Sequence, residues 1–248
     1  MRILKERDYF AEGQIECEMI HGIFFVLLAF LFIWLGSLIW WASPLFFVGA
    51  ILLFYLGLKA FNNSIKWRRG IEGKKKVTDA LKELDDSYIL INGALLPRKG
   101  GQVNHVLLGP AGIFVITTKN YGGSLRCYGE DWFKKGRIKE YQIRSISNQA
   151  KIYTQDIKDV ADDVHADDYP IKKVESVLVF TNPNVKLDLY KPTVPVITVG
   201  KLCDFIKSSQ SEISLPPNIL RDIADTILHY SFLVRSSIIL CWEPDDIE

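Results

Sequence analysis

The stretch GQVNHVLLGPAGIFVITTKN, residues 101–120, contains two runs of apolar and β-branched residues separated by a short break. Both runs, 103–108 and 112–118, have the length and composition of buried β-strands. The GPAG sequence at 109–112 favours a tight turn, because Gly and Pro supply the backbone conformations that turns need. The stretch therefore predicts two neighbouring antiparallel strands.

Similar runs on both sides extend this pair into an α/β domain. The strands before and after it are separated by Gly, Pro and Asn breakers, which predicts an antiparallel meander. Later strands follow a long amphipathic helix, so the sheet is predicted to be mixed. The additional predicted strands cover residues 88–91, 124–128, 174–181 and 194–199, and the predicted helices cover residues 70–84, 142–164 and 201–208.

An apolar segment precedes this domain. Residues 19–58 contain no Asp, Glu, Lys or Arg, and 40 residues of helix would measure about 60 Å. A hydrocarbon core of about 30 Å needs about 20 apolar residues, so the segment is long enough for two crossings. A turn at 42–44, which contains Pro44, predicts a transmembrane helical hairpin with arms at 20–41 and 45–61. A cleaved signal peptide is disfavoured, because acidic residues precede the apolar run.

Basic residues flank the hairpin on both sides, which predicts an integral membrane protein whose termini and soluble domain are all cytoplasmic. The predicted organisation has five parts. They are an N-terminal segment at 1–18, the hairpin at 19–61, a basic juxtamembrane linker at 62–69, the α/β domain at 70–210, and a linker with a C-terminal docking helix at 211–248.

Composition and motifs exclude several classes of function. A chain of 248 residues with 48% hydrophobic residues and a formal net charge of +1 is neither a disordered protein nor a globally basic nucleic-acid coat. Its four cysteines lack the spacing of a zinc site. No Walker A loop, HExxH, GxSxG or dinucleotide fingerprint is present, which removes the commonest ATPases, zinc proteases, hydrolases and dehydrogenases.

Several blocks of the sequence carry a resemblance to a known family. The blocks read GIEGK at 70–74, GQVNHV at 101–106, GIFVITTKN at 112–120, DW at 131–132, NQ at 148–149 and VFTNP at 179–183. In this order and spacing, over about residues 70–208, they resemble the nuclease-related domain (NERD) family. The resemblance implies a restriction-endonuclease-like fold, in which a mixed sheet is flanked by helices.

The resemblance also implies a metal site, and this chain departs from it. In the family an acidic helix residue, a strand Asp and a Glu-x-Lys pair surround Mg²⁺, which activates a water and screens the phosphodiester. Here Lys74, Asn104 and Thr117 stand at the three acidic positions, and only Lys119 is retained. The formal charge becomes about +2 where the family pattern gives about −2, so the site should repel Mg²⁺. We therefore expect a degenerate nuclease with no cofactor.

An anion-binding groove is the hypothesis that the remaining residues support. Its predicted members are Lys119, Lys74, Gln102, His105 and Gln149. The alternative is that the same residues have only structural roles, with satisfied hydrogen bonds in the core or at a strand end.

The function predicted from the sequence is a nucleic-acid- or protein-binding module, a pseudoenzyme at the cytoplasmic face of a membrane. The alternative is an active Mg²⁺-dependent nuclease whose acidic residues are relocated, with Glu130 or Asp131 as candidates. The expected partners are the lipid bilayer, DNA or RNA, a protein, or a second copy of the chain through the hairpin. The small residues that would favour the last of these, because they allow close approach of helices, are Gly36, Ser37, Gly49 and Gly57.

Aromatic and basic residues are interleaved after the second strand of the pair. Tyr121, Tyr128, Trp132 and Phe133 lie in sequence near several Lys and Arg residues. Base stacking combined with phosphate contacts uses this mixture. An exposed β-turn with ordinary charged decoration is the other interpretation.

Overall fold

The computed structural model describes residues 1–5, 9–38, 43–96, 101–136, 138–165, 174–209 and 215–240. The chain divides into two compact units, Asp8–Glu72 and a second unit made of Met1–Arg7 with Gly73–Glu248. The strands in the described residues are β1 (Arg2–Lys5), β2 (Ile89–Leu96), β3 (Gly101–Gly109), β4 (Gly112–Lys119), β5 (Gly123–Tyr128), β6 (Asp131–Lys135), β7 (Glu140–Ile143), β8 (Val174–Phe180), β9 (Val185–Tyr190) and β10 (Val196–Thr198). The helices are α1 (Tyr9–Leu38), α2 (Ser43–Leu81), α3 (Ile146–His165), α4 (Leu202–Ser208) and α5 (Pro217–Leu240), with a 3-10 turn at Val199–Lys201.

The unit Asp8–Glu72 is a pair of long apolar helices. Both α1 and α2 are long and apolar enough to cross a membrane by length and composition. Small residues let them pack closely: a Cβ placed on Gly36 would lie 2.8 Å from Phe46, and one on Gly57 would lie 2.9 Å from Val26. These glycines therefore serve contacts within the hairpin, and the prediction of a homo-oligomer through them stays a prediction.

The two helices are longer than the sequence predicted. The helix α1 begins at Tyr9, within the predicted N-terminal segment, and α2 continues without a break to Leu81. Residues 62–69, expected as a linker, and the separate helix expected at 70–84 are therefore both part of α2. No proline follows Pro44 before the end of α2, so nothing in the sequence forces the helix to stop. The predicted turn at 42–44 falls partly outside the described residues, because Ala42 is not described.

The second unit is built on a six-stranded mixed sheet in the order β1-β2-β3-β4-β8-β10. The strands β2, β3 and β4 are antiparallel neighbours, as predicted, with Gly109 paired to Gly112 at the turn. The later strand β8 lies parallel to β4, which confirms the predicted mixed sheet. The expected β/α/β crossover between them is supplied by α3, which packs on β8 and β4.

Both faces of this sheet are covered by helices. On one face Ile113 and Val115 of β4 pack with residues of α3 and α5, including Ile157 and Ile223. On the other face Phe114 and Ile116 pack with the end of α2 and with α4. Seven successive residues of β4, from Gly112 to Thr118, are buried, as expected for a central strand covered on two sides.

The first strand of this sheet comes from the N-terminal segment and was not predicted. Arg2 and Ile3 are in register with Ile89 and Leu90 of β2, and the pairing is parallel. Ile3 packs against the core on the α2 side and Leu4 against the core on the α3 side, which is the alternation of a buried strand. The two hairpin helices thus lie between β1 and β2 in the sequence, and these two strands are neighbours in the sheet.

A second sheet has the strand order β7-β6-β5-β9. The prediction that β5 continues the antiparallel meander is wrong, because β5 lies in this second sheet beside β9. The helix predicted from residue 142 is also corrected: residues up to Ile143 form β7, and α3 starts at Ile146. Ser145 is the N-cap residue of α3, since its hydroxyl oxygen accepts a hydrogen bond of 3.1 Å from the backbone N–H of Asn148.

The pairing of β1 predicts that residues before the hairpin stabilise the domain after it. Leu4→Ala should lower the unfolding free energy of the domain by about 1–2 kcal/mol, because Leu4 is half-buried against the core. Arg2→Ala is the matched control, since Arg2 is exposed on the same strand. Thermal unfolding of the full chain in detergent measures the stability of both variants. Equal melting temperatures for Leu4→Ala and Arg2→Ala would contradict the docking of β1.

Candidate anion-binding site at the end of β4

Lys119 is the last residue of β4 and lies at the centre of the candidate site. Its position follows from the strand pairing, which places Lys119 opposite Phe180 of β8. The Lys119 ammonium donates a 2.9 Å hydrogen bond to the side-chain oxygen of Gln149 on α3. Gln149 in turn donates a 2.8 Å hydrogen bond to the hydroxyl of Tyr153, one helical turn later. The amine is therefore held in one direction by α3.

Lys119 titrates far below an ordinary lysine. Its pKa falls from 10.5 to about 8, first because burial removes water from the ammonium, and then because the charges of Arg144 and Lys74 repel it. Tyr121 adds a ring whose centroid is 5.9 Å from the ammonium nitrogen. The site is thus a partly desolvated cluster of positive charge.

Lys74 reaches the site from the last part of α2. Its ammonium donates a 3.2 Å hydrogen bond to the side-chain oxygen of Gln102 on β3. Gly73 makes this approach possible, because a Cβ at that position would lie 2.8 Å from the Thr181 hydroxyl oxygen and 3.0 Å from Asn120. The GIEGK block therefore has a physical role: its second glycine lets the helix come close to the strand ends.

Asn104 and Thr117 occupy the two other degenerate positions. The side-chain oxygen of Asn104 accepts a 2.9 Å hydrogen bond from the backbone N–H of Thr118, just past the last paired residues of β3 and β4. Thr117 is buried, and within the described residues its hydroxyl has no hydrogen-bond partner. Neither side chain offers a charged oxygen to a ligand.

His105 lies in a buried polar cluster. Its Nδ1 is 2.7 Å from the side-chain oxygen of Asn92, which also accepts a hydrogen bond of 3.4 Å from the Thr78 hydroxyl. Only 1% of His105 is exposed. The structure thus brings together four of the five predicted groove residues, and it places His105 in the core.

These residues do not fit the Mg²⁺ that the family pattern implies. A hard dication needs several charged or carbonyl oxygens, whereas Lys74 and Lys119 repel it and the Asn104 oxygen already accepts a backbone hydrogen bond. Across the described part of the chain, no group of three or more His, Cys, Asp or Glu residues could hold a metal ion. No step of metal-assisted hydrolysis can be assigned to this site.

The carboxylates considered as replacements have other partners. Glu130 forms a salt bridge with Lys151 of α3. Asp131 accepts a 3.1 Å hydrogen bond from the side-chain amide of Gln142. Glu130 thus links the second sheet to α3, and Asp131 links β6 to β7 within that sheet.

Two residues of the site were missed in the sequence. Arg144 precedes α3 and is exposed, yet its charge contributes to the lowered pKa of Lys119. Tyr153 anchors Gln149, and its ring lies against Gly101, where a Cβ would come within 2.7 Å of a ring carbon. The spacing of Gln149 and Tyr153, four residues apart on a predicted helix, is the signal that would have linked them.

The comparison with protein families agrees with this geometry. The family model for the nuclease-related domain matches residues 69–181. Over these residues the chain is similar to the nuclease-related domain. The match runs from the last part of α2 to the end of β8 and includes Lys74, Asn104, Thr117, Lys119 and Gln149. The mixed sheet flanked by helices is consistent with the restriction-endonuclease-like superfamily. No curated protein and no solved structure matches the chain.

The lowered pKa of Lys119 predicts a pH-dependent stability difference. A protonated Lys119 destabilises the folded state, and this cost is fully present below pH 8 and disappears as the pH rises towards 10.5. Lys119→Met should therefore stabilise the domain by about 1–3 kcal/mol at pH 7, with a gain that shrinks above pH 8. Unfolding of the detergent-solubilised full chain between pH 6 and pH 10 measures the difference.

The matched control is Lys158→Met, because Lys158 is an exposed residue of α3. Its effect should be small and should not change with pH over the same range. A Lys119→Met effect that is equally independent of pH would contradict the burial of a charged amine.

Proposed function

We propose that the chain is anchored in a membrane and that its nuclease-related domain binds phosphate groups of nucleic acid without metal-dependent cleavage. The observation that carries the proposal is the cluster of Lys119, Lys74 and Arg144, in which burial and the two neighbouring charges lower the pKa of Lys119. Lys74 stands at one of the family's acidic positions, and the neutral Asn104 and Thr117 stand at the other two. Burial removes water that would stabilise the Lys119 ammonium. A phosphate oxygen bound in this cluster would stabilise the ammonium instead, through a charge-assisted hydrogen bond.

The geometry favours an anion over a cation for a second reason. The Lys74 and Lys119 ammonium groups are each oriented by a glutamine oxygen, at 3.2 Å and 2.9 Å, and neither hydrogen bond neutralises the charge. Preorganised, partly desolvated lysines bind phosphate more strongly than flexible surface lysines, because less side-chain entropy is lost. An acidic protein segment would use the same groups and is the second form of the proposal.

Membrane anchoring is supported by the surface of the helical unit. The outward faces of α1 and α2 expose large apolar side chains, including Leu27 at 64% and Ile51 at 69%. Such faces are suited to lipid rather than to water.

The strand β1 supports a topology in which both ends of the hairpin lie on one side of the membrane. This strand precedes the hairpin and pairs with β2, which follows it. Arg2 and Lys5 before the hairpin and the Lys and Arg residues after it favour the cytoplasmic side. The proposed site would then face the compartment that holds nucleic acid.

Binding and cleavage assays test the proposal. The full chain in detergent should bind labelled DNA or RNA in EDTA, leave it intact in Mg²⁺ or Mn²⁺, and show an affinity that falls with salt. Lys119→Gln should weaken binding by about tenfold, because one charge-assisted contact is lost, while Lys158→Gln should change it little. Fluorescence anisotropy and gel analysis measure binding and cleavage.

Two outcomes would change this interpretation. Metal-dependent cleavage that Lys119→Gln abolishes would mean that the domain is an active nuclease with relocated acidic residues. Absence of nucleic-acid binding at low salt would reject nucleic acid and leave the acidic protein segment as the ligand to test.

The topology predicts which positions react with a membrane-impermeant maleimide in intact cells. In a Cys17→Ser/Cys241→Ser background, Ser43→Cys should react in intact cells. Ser43 begins α2, so in the proposed topology it lies between the two membrane crossings, on the outer side. Arg2→Cys and Lys201→Cys should react only after the membrane is opened, because both belong to the domain unit. Labelling of the last two positions from opposite sides would contradict the topology.

A further inference from the structure

Lys134 lies on the inner face of the second sheet, where a lysine is unusual. It is paired with Leu125 of β5 and comes two residues after Trp132, and both of these neighbours are fully buried. Because side chains alternate along a strand, Lys134 shares with Trp132 the face of β6 that packs on the core. The exposed Lys135 belongs to the opposite face. A charge on an inner face is costly, so its surroundings indicate what offsets that cost.

Tyr121 joins Lys134 to the site at the end of β4. The ammonium nitrogen of Lys134 is 5.4 Å from the centre of the Tyr121 ring, and the ammonium nitrogen of Lys119 is 5.9 Å from the same centre. Attraction between a cation and an aromatic ring orients both ammonium groups and leaves their charges in place. Tyr121 is 37% exposed, so this part of the site is in contact with solvent. Lys134 is therefore a further member of the site.

Cations from four different elements meet at this site. The four-cation cluster is defined by Lys74 of α2, Lys119 of β4, Lys134 of β6 and Arg144, which precedes α3. The charges of Lys74 and Arg144 act on Lys119, and Lys119 shares the Tyr121 ring with Lys134. Within the part of the chain that the structure describes, Lys119, Lys134 and Arg144 form no salt bridge. Their positive charges are left for a ligand to balance.

Three buried threonine hydroxyls lie at the same strand ends. Thr117 and Thr118 are near the end of β4, and Thr181 directly follows β8, where its backbone N–H donates a 3.0 Å hydrogen bond to the carbonyl oxygen of Lys119. Each of the three threonines is at most 9% exposed, and the described residues supply no hydrogen-bond partner for their hydroxyls. Buried polar groups are almost always paired, so unused donors beside a cationic cluster indicate a ligand rich in acceptors.

We infer, on the basis of the proposed function, that the four-cation cluster binds a phosphate monoester dianion, namely the terminal phosphate of a nucleic-acid strand. A phosphodiester within a strand carries a single negative charge, and the next charge lies further along the strand. A terminal phosphate carries a charge of about −1.5 to −2 at pH 7 and has three acceptor oxygens at one point. Several cations that meet at one point are therefore balanced better by the terminal phosphate.

Two other ligands share part of this chemistry. A carboxylate of an acidic protein segment has one charge and two oxygens, so it balances the cluster less completely. A free nucleoside monophosphate has the same dianionic group as a strand end, but it has no neighbouring phosphates to make further contacts. The strand end is thus the ligand that uses both the cluster and the rest of a cationic surface.

Short single-stranded DNA tests the inference with the full chain in detergent and EDTA. Oligonucleotides of one sequence, each with a dye on an internal base, end in a 5′-hydroxyl, a 5′-phosphate or the methyl ester of that phosphate, and a matching set carries these groups at the 3′ end. We expect a free phosphate at one end to raise the affinity by about tenfold over the hydroxyl, because charge-assisted hydrogen bonds are gained. The methyl ester removes one charge and should lose most of this gain. Fluorescence anisotropy measures each affinity.

Substitutions on the two faces of β6 provide matched variants. Lys134→Gln should lower the preference for the phosphate end by at least about threefold, whereas Lys135→Gln should leave it unchanged. Lys134→Arg keeps the charge and should retain the preference. Thermal unfolding confirms that each variant is folded.

The outcomes separate this inference from the proposed function. Equal affinity for all strand ends, with DNA still bound, would overturn the inference and leave the proposed function standing. An equal loss of preference in Lys134→Gln and Lys135→Gln would also overturn it. A nucleoside monophosphate that competes as strongly as phosphate-ended DNA would overturn the strand end as the ligand. Absence of binding by every oligonucleotide would reject the proposed function together with the inference.

Discussion

The burial of β4 between two helical layers is the constraint on which the rest of the domain depends. Ile113 and Val115 contact one layer and Phe114 and Ile116 the other, so the strand has no freedom to shift its register. Antiparallel pairing with β3 and parallel pairing with β8 hold its two edges. Lys119 lies at the end of this buried strand, between α2 and α3, and its partial burial lowers its pKa. The packing of β4 thus determines where the cationic cluster around Lys119 forms.

The central part of the fold was predictable because its signals are local. The strands β2, β3 and β4 carry continuous apolar runs with a glycine-rich turn, and α3 carries an apolar stripe. The strand β1 could not be predicted, because four residues give no periodicity and the pairing depends on a strand more than eighty residues away. The strands β6, β7 and β9 were missed for a similar reason: their outward faces are polar or charged, so only pairing within the second sheet identifies them.

The candidate site was predictable in part. The residues at family positions, Lys74, Asn104, Thr117 and Lys119, came from the resemblance, and a family model matches the same region. The hydrogen-bond network of Gln149 and Tyr153 and the influence of Arg144 required the packing of α3 against β4. The buried contact of His105 with Asn92 also depends on tertiary packing, because a histidine in a buried strand has the same sequence context whether it faces a groove or a polar cluster in the core.

A direct measurement of the Lys119 pKa, with and without phosphate, tests the central claim that this cluster is an anion site. Lysines of the full chain are labelled by reductive ¹³C-methylation, and Lys119→Arg identifies the resonance by its loss. We expect a titration near pH 8 that moves upward when inorganic phosphate is added, because a bound anion favours the charged amine. A titration near 10.5 that phosphate leaves unchanged would contradict it.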